Sequence, residues 1–273
     1  MKNSISIIGL GWLGLPLYHS LINSGYLVKG TKTNLQDVNL LQLENINVFH
    51  LDLIPQIVSL NISEILNADI LIINIPPNRK REDAGEFFYS QIKNLLEEVC
   101  VSKIKHVLFI SSTSVYGDSE GIKNEETETS PNTSSADGLV HVEKLLQEQT
   151  SFSTTIIRFG GLVGPKRNPA KFLKESRIHS GAEAAVNLIH QKDCISIIEK
   201  IIEDKCWGEI FNAVTDGHPT RKDYYSEMAK KENLPLPQFD NFDSKKGKII
   251  TAEKIKKLLH YTFQFPDPLG FTF

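Results

Sequence analysis

The stretch that most constrains this chain is residues 5–14, ISIIGLGWLG. Its first half suits a buried strand, with Ile5, Ile7 and Ile8 apolar. Gly9-x-Gly11-x-x-Gly14 follows at once, and an apolar helical spacing then runs through Leu17 and Leu21 to Ile22. Strand, glycine turn and helix in that order is the setting in which this motif binds a dinucleotide. The first glycine permits the tight turn, the second lets the backbone approach a pyrophosphate, and the third packs helix on strand. The helix N-terminus then offers free N–H groups and a partial positive charge to phosphates. Gly9, Gly11, Trp12, Leu13 and Gly14 are therefore the expected cofactor cradle.

Strands and helices alternate after this unit. Residues 26–31 (YLVKGT) read as a second strand, 47–49 as a short third, and 69–75 (DILIINI) as a fourth ending at Pro76-Pro77. Such continuous apolar runs suit strands buried on both faces of a parallel sheet. Residues 87–99 have helical spacing, and 106–110 (HVLFI) form a fifth strand that runs into SSTSVYG at 111–117. Residues 118–133 are acidic and turn-rich, which predicts a surface loop. A helix over 139–147 and a sixth strand over 154–158 (TTIIR) follow, then FGGLVGP. The alternation predicts an α/β, doubly wound Rossmann fold with a parallel sheet.

The last third has shorter elements and more prolines. Residues 186–193 (VNLIHQKD) predict a short strand leading into a helix near 194–203, with Asp193 as its cap. Residues 208–214 read as a strand, 221–232 and 252–259 as helices, and the tail from Phe263 is aromatic and proline-rich. We expect a dinucleotide-binding domain over 1–165 and a smaller α/β substrate lobe over 166–273, interwoven with the first.

Composition narrows the function classes. With 40% hydrophobic and 23% charged residues, a packed core is expected rather than disorder. A formal net charge of −3, with no long basic run, argues against nucleic acid. No apolar run reaches the ~18 residues needed to span a bilayer. Lys2 and the apolar stretch after it resemble a signal peptide, but no small-x-small cleavage site follows. Cys100, Cys194 and Cys206 are far apart and form no metal-ligand cluster. The expectation is a cytoplasmic, soluble protein with a small-molecule substrate and no metal, nucleic acid or membrane partner.

GLGWLG, SSTSVYG, RFGGLVGP, VNLIH and KGKII…FQFPDPL together resemble an extended short-chain dehydrogenase/reductase of the NAD-dependent epimerase/dehydratase superfamily, in its YeeZ-like atypical branch. The resemblance runs from residue 5 to about residue 269. It implies a nicotinamide cofactor and a homodimer through helices around 85–98 and 134–149. It also implies cofactor contacts at Ile75, Pro76 and Ser111, and substrate contacts at Thr113, Ser114, Arg158 and Gly161. Arg158 would hold an anionic substrate group or anchor loop backbone. His190 reads as hydrogen-bonded structure rather than a catalytic group.

The family's catalytic set is a Ser or Thr after the fifth strand, then Tyr-x-x-x-Lys on the next helix, where the phenolate is the general acid/base. Aligned on the Val-Tyr-Gly triplet, Ser112 takes the hydroxyl position. Counting back from Val142-Glu143 puts the family tyrosine at Ser135 and its lysine at Leu139, so both groups are absent. At about 100° per residue, Ser135, Leu139, Val142 and Leu146 share one helix face. Tyr89-x-x-x-Lys93 lies on the preceding helix, in the wrong order. His141 and Lys144 should point away from that face. Ser112 and Tyr116 are thus the candidate catalytic residues, Tyr116 as a substitute acid or as pocket wall.

NAD enzymes carry an acid at the end of the second strand that accepts the ribose 2′-hydroxyl. Here that position is Lys32, between Thr31 and Thr33. A cation with flanking hydroxyls suits a 2′-phosphate, so NADP is expected, with NAD the alternative; a solvated loop lysine is the bland reading. Two functions stand. One is an NADP-dependent oxidoreductase or epimerase on a small polar or nucleotide-sugar substrate. The other is a cofactor-binding sensor or partner protein without turnover.

Overall fold

The structure, a computed structural model, describes residues 3–54, 56–172, 178–240 and 245–273. Lys2, and residues 173–177 and 241–244 of the expected substrate lobe, lie outside the described residues. Seven strands form the main sheet: β1 (Ser4–Ile8), β2 (Leu27–Lys32), β3 (Val48–His50), β4 (Ile70–Ile73), β5 (His106–Ser112), β6 (Ser153–Phe159) and β7 (Ile210–Ala213). Their order is β3-β2-β1-β4-β5-β6-β7, and every neighbouring pair is parallel. The order reverses between β1 and β4, where open sheets of this kind hold their ligands, outside the carboxyl ends of the strands. Ile5, Ile7, Ile70, Leu71, Ile72 and Ile73 are fully buried, as strands covered on both faces require.

The helices that cover the sheet are α1 (Gly14–Asn23), α2 (Leu35–Leu43), α3 (Ala84–Cys100), α4 (Ser134–Gln147) and α5 (Gln191–Glu203). In α4, Leu139, Val142 and Leu146 are buried on one face. That helix starts earlier than its apolar spacing suggests, because Thr133 Oγ1 accepts from Ala136 N and caps it. Helices α3 and α4 cross closely at Gly85 and Gly138, where a Cβ on Gly138 would lie 2.5 Å from the Gly85 Cα. The outward side of this pair carries Lys93, His141 and Lys144, all exposed. His141 Nδ1 sits 3.2 Å from Asp137.

The C-terminal third weaves back into the rest. Its β7 extends the main sheet beside β6. Strand Leu188–His190 pairs with Gly161–Val163, and Lys248–Ile250 pairs with Gly121–Lys123, both parallel. The segment expected as a plain surface loop, 118–133, therefore contains a strand whose partner lies over a hundred residues away. Helices α6 (Arg221–Lys231) and α7 (Glu253–Leu259) complete this part. A second apolar cluster joins Val163, Val186, Leu188, Tyr224, Met228 and Phe271. The cap of α5 also differs from expectation. His190 Nδ1 accepts from Lys192 N at 3.3 Å, while Asp193 is fully buried and serves the tail. Its carboxylate accepts from Tyr261 Oη, Gln264 N and Phe265 N. Among the described residues no helix is long and apolar enough to cross a membrane.

Candidate functional site

The glycine loop lies at the carboxyl end of β1. Gly9 has φ +102°, and a Cβ there would sit 2.6 Å from the Asn74 carbonyl oxygen. Asn74, at the end of β4, returns a hydrogen bond from Nδ2 to Gly9 O at 2.9 Å. Gly14 must be glycine for a different reason, since its Cβ would stand 2.1 Å from Gly9 O. Gly11 has nothing within 4 Å of an added Cβ, so its outer side is open. Helix α1 starts at Gly14 with no side-chain cap; Leu15 N donates to Gly11 O at 3.0 Å and Pro16 has no N–H, so an anion would meet the main chain of the loop and Gly14 rather than a full first turn. Gly9 makes the turn and Gly14 the close packing that their spacing predicts, and Gly11 leaves its outer side open. Leu13 is a core side chain, so only its main chain faces the loop.

Trp12 links this loop to the C-terminal part. Its Nε1 donates to Pro165 O at 2.8 Å, and its carbonyl accepts from Gln191 Nε2 at 2.6 Å. Thr31 is buried, and its hydroxyl accepts from Gly9 N at 3.2 Å, so it steadies the loop from beneath. Beyond Gly11 a cavity of about 500 Å³ extends past Lys32, Thr33, Ile75 and Pro76 to Asp52 and Phe87. Lys32 stands at its edge with Asp37 Oδ2 3.0 Å from its Nζ. A helix start without a side-chain cap, a backbone that comes free of side chains at Gly11, and a long cavity beside β2 suit a dinucleotide. Asn74 and Asp37 are the residues of this region that the sequence did not single out; neither stands in a motif.

At the end of β5 the hydroxyl residues diverge. Ser112 is half-buried, and its Oγ accepts from Ser114 N at 3.2 Å, which leaves its proton free. Ser111 is buried and donates to Glu143 Oε1 at 2.5 Å, so it faces the interior rather than a cofactor. Glu143 in turn holds Arg158, with Nη2–Oε2 at 2.6 Å. Arg158 Nη1 donates to the Tyr116 phenol at 2.8 Å, and Tyr116 donates to Asn212 Oδ1 at 2.8 Å. Two sequence expectations change here. Arg158 neither meets a substrate anion nor anchors a loop, because its guanidinium is buried and spent on Glu143 and Tyr116. Tyr116 is buried and doubly hydrogen-bonded, and burial raises its pKa against the pull of Arg158, so it is part of the buried network with Arg158 and Asn212 and not a ready acid. Buried charges of this kind persist only when paired. Leu139, which counting back from Val142-Glu143 puts at the family's lysine position, is buried.

The remaining candidates are placed as follows. Thr113 is buried, Ser114 is half-buried, and both belong to a turn of 3-10 helix, Thr113–Tyr116. Gly161 is exposed and opens the strand that pairs with Leu188. His190 stacks on Phe265 with ring centres 3.8 Å apart, and burial lowers its pKa, which fits the structural role.

A parallel sheet reversing at β1/β4, a glycine cradle there and a hydroxyl turn after β5 define a nicotinamide-dinucleotide protein of the extended type. The chain belongs to the NAD dependent epimerase/dehydratase family, whose sequence profile matches residues 5–213. It is 37% identical over 268 residues to Protein YeeZ of Escherichia coli strain K12, covering 97% of each chain. In fold it is similar to UDP-glucuronic acid 4-epimerase of Bacillus cereus, solved with UDP-glucuronic acid and NAD: TM-score 0.78, 21% identity, 98% of this chain and 96% of that one. UDP-glucose 4-epimerase of Thermotoga maritima, solved with UDP-glucose, gives TM-score 0.77 at 16% identity, over 97% and 96% of the chains. Membership of this family supports a nicotinamide dinucleotide as cofactor.

Proposed function

We propose that this chain is an NADP-dependent oxidoreductase or epimerase acting on a small polar substrate of the nucleotide-sugar class. The observation that carries it is the open face of Gly11 before an uncapped α1, continuous with the cavity that Lys32 and Thr33 help to line. The pyrophosphate would rest on the loop N–H groups, and Lys32 would take the 2′-phosphate, competing with Asp37 for its ammonium. When bound, the cofactor supplies hydride acceptance and donation. Ser112 would donate its proton toward the substrate oxygen. The nucleotide-sugar class is supported by the ligands of the two epimerases of like fold.

Titration calorimetry of NADP(H) against NAD(H) tests the cofactor choice. The expected result is tighter NADP(H), with the preference lost in Lys32→Ala; equal affinities would defeat it. Oxidation of bound NADPH by a panel of nucleotide-sugar and small carbonyl substrates tests turnover. A second reading, cofactor binding without turnover, is favoured by Leu139 and by the commitment of Tyr116 to Arg158 and Asn212. Without a positioned acid/base, a reaction lacks a factor of about 10²–10⁴. Tight cofactor binding with no oxidation across the panel would select this reading.

A further inference from the structure

The motif KGKII near the C-terminus has no part in the site described so far. Its second lysine, Lys248, sits half-buried on the strand Lys248–Ile250. Asn187 fixes that strand from both sides: its Nδ2 donates to Lys248 O at 2.9 Å, and its Oδ1 accepts from Ile250 N at 2.8 Å. The Lys248 ammonium reaches the hydroxyl turn, donating to Thr113 O at 3.1 Å and to Gly117 O. Among the described residues it forms no ion pair with a carboxylate within 4.0 Å. An ammonium has three donors, so one remains beyond these two bonds.

The Thr113 carbonyl and the Ser114 N–H belong to one peptide unit. That N–H is the donor to Ser112 Oγ, at 3.2 Å. A cation on the carbonyl end pulls electron density from the peptide and strengthens its N–H as a donor. Successive hydrogen bonds polarise one another in this way, by roughly 10–30% per bond. A hydroxyl that accepts from a stronger donor is itself more acidic and holds its own proton outward.

We propose that Lys248 is a positioning residue of the candidate active site, acting on Ser112 through the Thr113–Ser114 peptide and so supplying to this turn a cation that helix α4 does not. The role at a reacting oxygen rests on the function proposed above; the electrical link to Ser112 does not. Burial lowers the Lys248 pKa, with Lys123 adding to the shift and Asp118 opposing it, and a more acidic ammonium is the stronger donor.

The test converts Ser112 into a reporter. Ser112→Cys places a thiol where the Ser114 N–H would meet a thiolate, and site-resolved mass spectrometry of alkylation against pH reads its pKa apart from Cys100, Cys194 and Cys206. Adding Lys248→Met should raise that thiol pKa by about one unit, a roughly tenfold slower alkylation near neutral pH. Adding Lys248→Arg, which keeps the charge, should restore most of the rate. An unchanged thiol pKa in folded Lys248→Met overturns the proposal. So does an equal rise in the Met and Arg variants, which would mark Lys248 as a staple whose charge is irrelevant. If Lys248→Met does not melt cooperatively, Lys248→Gln, a neutral donor, is read the same way. NADPH titration of the unaltered protein runs alongside: failure to bind would sink the proposed function and leave the thiol result standing.

Discussion

Two glycines three residues apart respond oppositely to the addition of side-chain atoms. Gly14 lies in a helix, where alanine ordinarily gains about 0.5–1 kcal/mol over glycine. Here the new methyl would stand 2.1 Å from Gly9 O, so Gly14→Ala should lower the melting temperature and separate α1 from β1. Gly11 has open space at the same test, so Gly11→Val should melt like the unaltered protein while dinucleotide affinity falls at least about tenfold, measured by calorimetry. Loss of folding in Gly11→Val would reassign that glycine to packing. Glu143 belongs to a different class of residue, being one half of a buried ion pair. Glu143→Gln leaves the Arg158 charge uncompensated and should cost about 3 kcal/mol in urea unfolding. These residues differ in how far sequence exposes them. The glycines sit in a motif whose spacing states their tasks. Arg158 and Tyr116 sit in motifs as well, but their partners come from α4 and β7, and only the folded sheet brings those groups to one point.

At the scale of elements, the sheet and its covering helices were legible because apolar runs and helical spacings are local signals. The strand over 121–123 was not, since its pairing with 248–250 depends on residues far along the chain and its own sequence reads as turn. The cap of α5 was misread for a related reason: Asp193 has the chemistry of a cap, but the tail at Tyr261–Phe265 claims its carboxylate. Asn187 is the joint on which the strand pair depends. Asn187→Ala removes both of its bonds to the 248–250 strand. Hydrogen exchange should then quicken at amides of 248–250 and 121–123, while β5 stays protected. Equal exchange in both proteins would show that the strand pair holds without Asn187.

Across the whole molecule, the two ends of the sheet have separate duties. The carboxyl ends of the strands carry the candidate site, and the amino ends carry a charged clasp. Asp69 accepts from Ser4 N and Ser4 Oγ at 3.0 and 2.9 Å, and from Lys105 at 2.7 Å, tying β1, β4 and β5 together. The Lys105 bond first, then Ser4, holds the Asp69 carboxyl down at about 2. Its unfolded value is about 3.9. A depressed carboxyl stabilises the fold above the unfolded value and loses that effect as pH falls through the folded one. Melting temperature should therefore drop between about pH 4 and pH 2, less steeply in Asp69→Asn, with dinucleotide binding at neutral pH unchanged in the variant. An identical acid profile in the two proteins would remove Asp69 from the account.

The pairing of 248–250 with 121–123 also orders events during synthesis. By the time a ribosome has delivered β7, every strand of the main sheet exists, and the glycine loop has both of its strands and α1. The hydroxyl turn still lacks Lys248, which emerges some 35 residues later. A chain interrupted in that interval has the means to build the sheet and the glycine loop, but not the Lys248 contact to the hydroxyl turn. The last described strand to be made is thus the one that, in the role proposed for Lys248, completes that turn.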